Sequence, residues 1–223
     1  ETIIAPDYKH NSKLYTSFYN TLSSQNKEVT YPEVGQEYEF GEGSFTVLGP
    51  TQIRDDSNNN SVVVRLDYGD TSFLFTGDAE SKEEKDIIAA NEDLYCDVLS
   101  VGHHGSASST SWDFLEAVLP EYAVISCGVN NSYGHPDPDT IEKLESIEAQ
   151  IFRTDLQGNI IAISDGETIT WNNVPSNGEV LYAADFVSVK EEPNDTSSTV
   201  GELGPGNQIQ VLNRDDNGWA TIV

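Results

Sequence analysis

Two segments of the chain share one pattern, an apolar strand that runs directly into a glycine and then into a side chain able to bind metal. FLFTGDAE places Gly77 and Asp78 after such a strand, and DVLSVGHHGS places Gly102, His103 and His104 after another. Glycine permits a sharp turn, and in layered α/β folds ligands gather at strand ends. The repeated pattern therefore predicts a sheet that presents a carboxylate and imidazoles along one edge.

The rest of region 1–174 alternates between strand-like and helix-like segments, which predicts an α/β domain. Helices are predicted over 13–24, from Ser81 to about Asn91, from near Thr110 to just before Pro120, and from Asp137 onward. Strands are predicted as a hairpin over 36–48, as a pair joined at Gly69–Asp70, over 97–101 and 123–126, and in IFRT, NIIAIS and ETITW. Ser81 and Glu84 have the spacing of a capping box, and Leu14, Phe18 and Leu22 give the first helix an apolar face.

The composition changes at 172–178, where NNVPSNG has the character of a linker. Short strand-like segments separated by turn residues follow it up to the last residue, which predicts a small all-β barrel. The expected domains are therefore 1–174, an α/β domain, and 178–223, the all-β unit.

Charge is the main bulk property of the chain. Eleven Lys and Arg stand against 38 Asp and Glu, a net charge of −27. Such a surface repels polyanions, whereas proteins that bind nucleic acid usually carry the opposite sign. A phosphate substrate would therefore need a metal to offset the local field. The simpler interpretation is that the acidity serves solubility alone.

Cysteine content and hydropathy argue against a disulfide-rich protein and against a membrane-spanning segment in this sequence. Cys96 and Cys127 do not make a disulfide framework and are expected to act as small buried apolar residues. No apolar run is long enough to cross a bilayer, and the N-terminal ETIIAPDYKH lacks the pattern of a signal peptide.

Asp78, His135 and the segment 58–61 also have structural interpretations. Asp78 could bridge two divalent cations, or it could cap the helix that follows. His135 in YGHP could act as a general acid or contact a substrate phosphate, or it could hold a loop in place. For 58–61, NNNS, a turn with amide caps is the favoured interpretation.

Seven motifs in order, NNNSVVVRL, FLFTGDAE, DVLSVGHHGS, STSWDFL, AVISCG, NSYGHP and FRTDLQG, closely resemble the metallo-β-lactamase-like domain of ComEC-type competence proteins. The resemblance covers roughly residues 2–171. It implies an αββα sandwich and a hydrolase with two divalent metal ions, zinc first and manganese second. By the same resemblance Asp78 would be the metal-bridging aspartate, and His104 the preferred metal ligand. His103 and His135 would then contact substrate or take part in proton transfer.

The sequence departs from that family in one respect. The family also needs an HxHxDH-type motif, yet the four histidines are His10, His103, His104 and His135, and none forms it. The chain therefore resembles the C-terminal half of the sandwich, a partial site whose other half must come from a further segment. About two ligands remain, so weak metal binding is expected of this chain alone.

The C-terminal segments YAADFVSVKEEP, VGELGPGNQIQVL and NGWATIV resemble a bacterial SH3-like domain over about 179–223, with the last strands of that family missing. The resemblance implies binding to the cell wall. A passive structural appendage is the alternative.

The sequence thus predicts a metal-dependent hydrolase of phosphodiesters, acting on nucleic acid or on a wall polymer. The alternative is a degenerate, non-catalytic module for wall binding or interaction. An extracellular or wall-associated location is expected from the acidity, the cysteine poverty and the C-terminal resemblance.

Overall fold

The computed structural model describes residues 2–91, 93–177, 179–214 and 217–222. A small parallel pair of strands, β1 (Ile3–Ile4) and β2 (Val29–Thr30), flanks helix α1 (Lys13–Ser24). Seven strands then build the central sheet, namely β3 (Glu37–Phe40), β4 (Gly43–Gly49), β5 (Val63–Tyr68), β6 (Thr71–Phe75), β7 (Val98–Ser100), β8 (Tyr122–Ile125) and β9 (Gln150–Arg153). They lie in chain order across the sheet.

Helices occupy the connections in the second half of this sheet, at α2 (Ser81–Ala90), α3 (Trp112–Val118), α4 (Pro138–Ser146) and α5 (Thr154–Gln157). Strands β3 to β6 pair antiparallel, and β6 to β9 pair parallel. The carboxyl ends of parallel strands meet at one edge, so the segments after β6, β7 and β8 come together there. The predicted α/β class is confirmed, with a mixed sheet and few helices.

One face of the sheet is buried against α2, α3 and α4. Side chains alternate along each strand, and every second one points toward these helices. The most deeply buried members of the resulting core are Leu74, Ile87, Leu99, Phe114, Leu115, Ile125, Leu144 and Ile151. Burial of this apolar layer is what fixes the helices over the sheet.

The opposite face of the sheet bounds a cavity of about 570 Å³. Phe73 and Phe75 of β6, with Val98 and Val124 on the next two strands, line it. A hairpin of β10 (Ala162–Ser164) and β11 (Ile169–Trp171) contributes further lining residues. Phe75 is exposed, so this apolar face is only partly covered within the part of the chain described.

Several local predictions differ from the structure. Helix α1 has the predicted bounds, but Leu22 is its one buried residue and Leu14 is 83% exposed. The capping box is wrong, because the N-cap of α2 is Glu80, which makes no side-chain cap bond. The carboxylate of Glu84 instead accepts the peptide N–H groups of Thr110 and Ser111, and so ties α2 to the start of α3.

The C-terminal unit consists of short strands, as the turn spacing predicts. They are β12 (Glu179–Tyr182), β13 (Val187–Lys190), β14 (Thr199–Leu203), β15 (Gln208–Arg214) and β16 (Ala220–Ile222). Strands β12, β15 and β16 form one antiparallel sheet, and β13 pairs with β14. An SH3-like barrel, and the domain boundary at 174–178, stay predictions; Gly178 lies outside the described residues.

The two cysteines are free thiols. Cys96 belongs to the core and Cys127 packs against it, as expected of small apolar residues. Burial raises the pKa of the Cys96 thiol to about 12 and that of Cys127 to about 11. None of the helices over the described residues is both long and apolar enough to cross a membrane.

Glu83 on α2 is a buried carboxyl group whose two oxygens make no hydrogen bond of normal geometry among the described residues. Its burial raises its pKa from 4.5 to about 8, although the backbone N–H of Ser61 and the charge of Arg54 oppose the shift. The pKa rises because burial removes the charged form of the carboxyl group from water, which costs free energy. Glu83 is therefore a point of pH sensitivity in the fold.

We expect Glu83→Gln to gain stability over wild type as the pH rises. A pKa raised in the folded state means that the folded protein keeps a proton that the unfolded chain releases. The contribution of Glu83 is therefore complete below the unfolded value of 4.5 and is lost as the pH rises toward 8. Urea denaturation at about pH 5.5 and about pH 8.5 should show the variant's relative gain, on the order of one to a few kcal/mol. An equal difference at both pH values would contradict this account.

Candidate metal centre

Asp78 lies in the turn directly after β6, where Gly77 has a positive φ of 57°. The peptide N–H of Asp78 donates to the Ser61 hydroxyl at 3.0 Å. A Cβ on residue 77 would lie 3.1 Å from that same hydroxyl oxygen, so glycine lets the two segments approach. The strand end and Ser61 together fix the backbone of Asp78, and the N-cap position of α2 is taken by Glu80 and not by Asp78.

His103 and His104 both have left-handed backbone conformations, with φ of 47° and 58°. Each such non-glycine residue costs about 1–3 kcal/mol, and they persist where the surroundings hold them. The peptide N–H of His103 donates to the Gly77 carbonyl at 2.9 Å, which ties this loop to the Asp78 turn. The Ser109 hydroxyl also donates to the Gly102 carbonyl, at 2.7 Å.

His104 and Asp78 face each other at the sheet edge. The Nδ1 atom of His104 is 2.7 Å from the Ser126 carbonyl oxygen, which can only accept, so Nδ1 carries the proton. In the neutral ring with this tautomer the lone pair is on Nε2, and that atom lies 3.6 Å from the Asp78 Oδ1. Two bonds of about 2.1 Å to one ion at a tetrahedral angle place their donor atoms about 3.4 Å apart. The pair therefore fits two positions around a divalent ion.

His103 has a different carboxylate partner, Glu80. The Nδ1 of His103 lies 3.3 Å from Glu80 Oε1 and 3.4 Å from the Ser108 hydroxyl. The carboxylate of Glu80 also accepts from the Asn58 and Asn59 side-chain amides, each at 3.2 Å, and from Ser108 at 3.1 Å. The two adjacent histidines are thus separated, one toward Asp78 and one toward Glu80. The choice of His104 as the metal ligand stays a prediction that this geometry supports.

His135 completes the group of predicted residues at this edge. Its ring centroid lies 5.7 Å from that of His103, with the rings edge to face. The loop that carries it is fixed by Asn131, whose side chain bonds both the N–H and the carbonyl of His135. The peptide N–H of Asp137 donates to the Gly105 carbonyl at 2.8 Å, so the loop is anchored to the GHHGS segment.

The structure thus brings Asp78, His103, His104 and His135 together, and leaves His10 in the N-terminal segment, where its ring accepts from the Ser12 N–H. The sequence patterns did not predict a role for Glu80 or Ser108. Glu80 lies two residues after Asp78 in FTGDAE. This closeness in sequence to a candidate ligand could have identified it as a residue of the site. Residues 58–60 form a short 3₁₀ turn within the predicted segment, and the amides of Asn58 and Asn59 additionally hold Glu80.

The Asp78–His104 pair fits a metal ion but does not by itself make a complete metal site. Among the described residues, no group of three or more His, Cys, Asp or Glu side chains is arranged to hold a metal ion. The Asp78–His104 pair supplies two donors, whereas a catalytic zinc site takes three protein ligands and a water. Any ion at this edge needs donors from elsewhere.

The chain belongs to the metallo-beta-lactamase superfamily, since residues 1–129, more than half of its length, match that family. Among individual proteins it is similar to ComE operon protein 3 of Bacillus subtilis (strain 168), 38% identical over 117 residues. It is also 38% identical over 125 residues to competence protein ComA of Neisseria gonorrhoeae. Recombination protein 2 of Haemophilus influenzae is 36% identical over 133 residues. These similarities confirm the ComEC-type resemblance.

The matches span 52%, 55% and 59% of this chain, but only 15%, 18% and 16% of the three relatives. The chain therefore corresponds to less than a fifth of the length of each. A solved structure of a CmlA beta-hydroxylase mutant is more distantly similar, at 10% identity and a TM-score of 0.43, over 68% of this chain and 38% of that one.

The contact between the GHHGS and YGHP loops can be tested with a matched pair of glycine variants. Gly105 and Gly134 have positive φ of 80° and 77°, but a Cβ on Gly105 would lie 2.7 Å from the Pro136 Cβ, and one on Gly134 would meet nothing within 4 Å. Both alanine variants carry backbone strain, and only Gly105→Ala adds overpacking of about 1–3 kcal/mol. Denaturant unfolding should show the larger loss for Gly105→Ala. Equal losses would mean that the loops do not pack as described.

Proposed function

We propose that this chain is the later half of a metal-dependent hydrolase that cleaves phosphodiesters. The observation that carries the proposal is the pairing of Asp78 with a His104 ring whose protonated nitrogen is fixed by a backbone carbonyl. Such outer contacts orient metal-binding imidazoles and fix the tautomer. Superfamily membership and the competence-protein relatives support the hydrolase class.

Asp78 would bridge two divalent ions, zinc or manganese, and His104 would bind one of them through Nε2. When bound, such ions supply an activated water and neutralise charge on the phosphate. His103 and His135 lie beside the pair and would contact the substrate or protonate its leaving oxygen. Glu80 and Ser108 would hold the His103 ring in place for that role.

The donors that are missing from the described residues would come from the other half of the sandwich, carried by a further segment. The apolar cavity on the sheet face opposite the helices supports this proposal. Phe75, Ser100 and Val124, which line it, are at or next to the carboxyl ends of β6, β7 and β8. A layer packed on this face would therefore reach the edge where Asp78 and His104 lie.

The substrate would be nucleic acid or a wall polymer with phosphodiester links. The relatives named as competence proteins favour the first, whereas the net charge of −27 and the SH3-like resemblance favour the second. An extracellular or wall-associated location, with wall binding through residues 178–223, is proposed on the same grounds.

A non-catalytic binding or interaction module is the second candidate. The observation that favours it is that the described residues contain no group of three side chains able to hold a metal. A protein of this kind would keep the fold around Asp78 and His104 but would not catalyse hydrolysis.

Metal titration of the full chain tests the leading proposal. We expect weak binding of Mn²⁺ or Zn²⁺ because only two donors converge, and we expect Asp78→Ala and His104→Ala each to abolish it. Calorimetry gives the affinity, and broadening of histidine NMR signals by Mn²⁺ gives the location. His10→Ala is the matched control, since it removes an imidazole outside the site and should change nothing.

Tight binding of two ions by the chain alone would contradict a partial site. Unchanged binding in Asp78→Ala and His104→Ala would contradict the ligand assignment. Hydrolysis of bis(4-nitrophenyl) phosphate with Mn²⁺ should be slow for this chain and faster once a polypeptide that carries an HxHxDH motif is added; no gain from such a polypeptide would favour the binding module.

The salt dependence of the cleavage rate should distinguish this chain from a nuclease with a basic surface. With single-stranded DNA as the substrate, we expect cleavage by the completed enzyme to improve as salt rises from low concentration, because screening reduces repulsion by the acidic surface. A site that relied on Lys and Arg contacts would lose affinity instead. A steady fall in the cleavage rate with added salt would show that a local basic groove dominates over the net charge.

A further inference from the structure

Tyr133 is an aromatic residue that is 82% exposed although it lies in the loop that carries His135. Its ring is nearly parallel to that of His135, with an interplanar angle of 13° and a centroid distance of 5.8 Å. The His135 ring in turn meets the edge of His103 at 5.7 Å, and His103 lies 6.1 Å from His104. A continuous series of rings therefore leads from solvent to the Asp78–His104 pair.

The position of Tyr133 is set by backbone contacts and not by burial. The Asn131 side-chain oxygen accepts the N–H groups of Tyr133 at 3.2 Å and of His135 at 3.0 Å. The Asn131 amide donates to the carbonyls of Gly128 and His135 at 3.0 and 2.6 Å. The fold thus gains little apolar burial from this ring, yet the loop holds it beside the site. Planar side chains presented in this way are suited to stacking on a ligand.

We propose that Tyr133 is a stacking platform for the base of a nucleotide whose phosphate lies at Asp78 and His104. The inference rests on the proposed function and selects its substrate class, a nucleoside phosphodiester over a wall polymer of polyol phosphates. Stacking on a neutral phenol needs no positive charge, so it supplies affinity that an acidic chain cannot obtain from Lys and Arg. It is also tolerant of sequence, because every base has a planar face.

The competing interpretation is that Tyr133 only positions His135. The two roles differ in what the base contributes to binding. A stacking residue affects ligands that carry a base, whereas a positioning residue affects every phosphate ligand equally. The informative quantity is therefore the ratio of two affinities, one for a nucleotide and one for the same sugar phosphate without a base.

The experiment measures binding of thymidine 5′-monophosphate and of 2-deoxyribose 5-phosphate to the full chain in the presence of Mn²⁺, by calorimetry or NMR titration. We expect wild type to bind the nucleotide roughly 5- to 150-fold more tightly, the range that one base stacked on an aromatic ring contributes. Tyr133→Ala should remove that preference and leave sugar-phosphate affinity unchanged, whereas Tyr133→Phe should retain it. Phe186→Ala, which removes an exposed aromatic ring from the C-terminal unit, is the matched control and should leave the preference intact.

Equal affinity of wild type for the two ligands would overturn the inference and leave the phosphate site standing. An equal loss of both affinities in Tyr133→Ala would also overturn it, in favour of a positioning role. If wild type binds neither ligand at any accessible concentration, this chain has no phosphate site of its own at Asp78 and His104, and the inference fails with it. Because Tyr133 is exposed, its variants should fold like wild type, which circular dichroism can verify.

Discussion

A hydrogen bond from the His103 N–H to the Gly77 carbonyl joins the two loops on which the candidate site depends. It forms because β6 and β7 are parallel and in register, so that both strands end at the same level of the sheet. The Thr76 hydroxyl reinforces the junction by donating to the Ser100 carbonyl at 2.8 Å. The second loop contains only a short 3₁₀ segment, Gly102–Gly105, in which His103 and His104 are non-helical. These bonds therefore decide where the carboxylate of Asp78 lies relative to the imidazoles.

Acidic residues at and near the start of helix α2 hold the neighbouring segments at this edge of the sheet in place. Glu80 collects the amides of Asn58 and Asn59, and Glu84 accepts two N–H groups at the start of α3. Glu84 is buried, and an unpaired carboxylate there would be costly, so the N–H donors make its position tolerable. Burial raises the pKa of both carboxyl groups, to about 8 for Glu83. Hydrogen bonds from Thr110 and Ser111 oppose the shift at Glu84, whereas neither oxygen of Glu83 makes a hydrogen bond of normal geometry among the described residues.

The sequence predicted the α/β class and the elements that carry the site, because strand and helix periodicity are local properties. Asp78, His103 and His104 could be placed at one edge because both motifs follow apolar strands. The partners of these side chains could not be predicted, since the contacts of Glu80 with Asn58 and of His104 with Ser126 join residues 22 apart in the chain. The capping-box prediction failed for the same reason. Glu84 matched a local pattern, but peptide groups 26 and 27 residues away compete for its carboxylate.

The separation of His103 from His104 gives two adjacent identical residues different carboxylate partners. Neighbouring side chains in a strand point to opposite faces, but these two follow a strand end, where consecutive left-handed residues turn the chain. His104 consequently meets Asp78, and His103 meets Glu80 and the ring of His135. Neither left-handed residue is a glycine, so the loop is strained, and strain of this kind persists where the surrounding contacts hold it. Two glycines flanking HH were a cue to such a turn; the assignment of each ring to its own carboxylate required the folded chain.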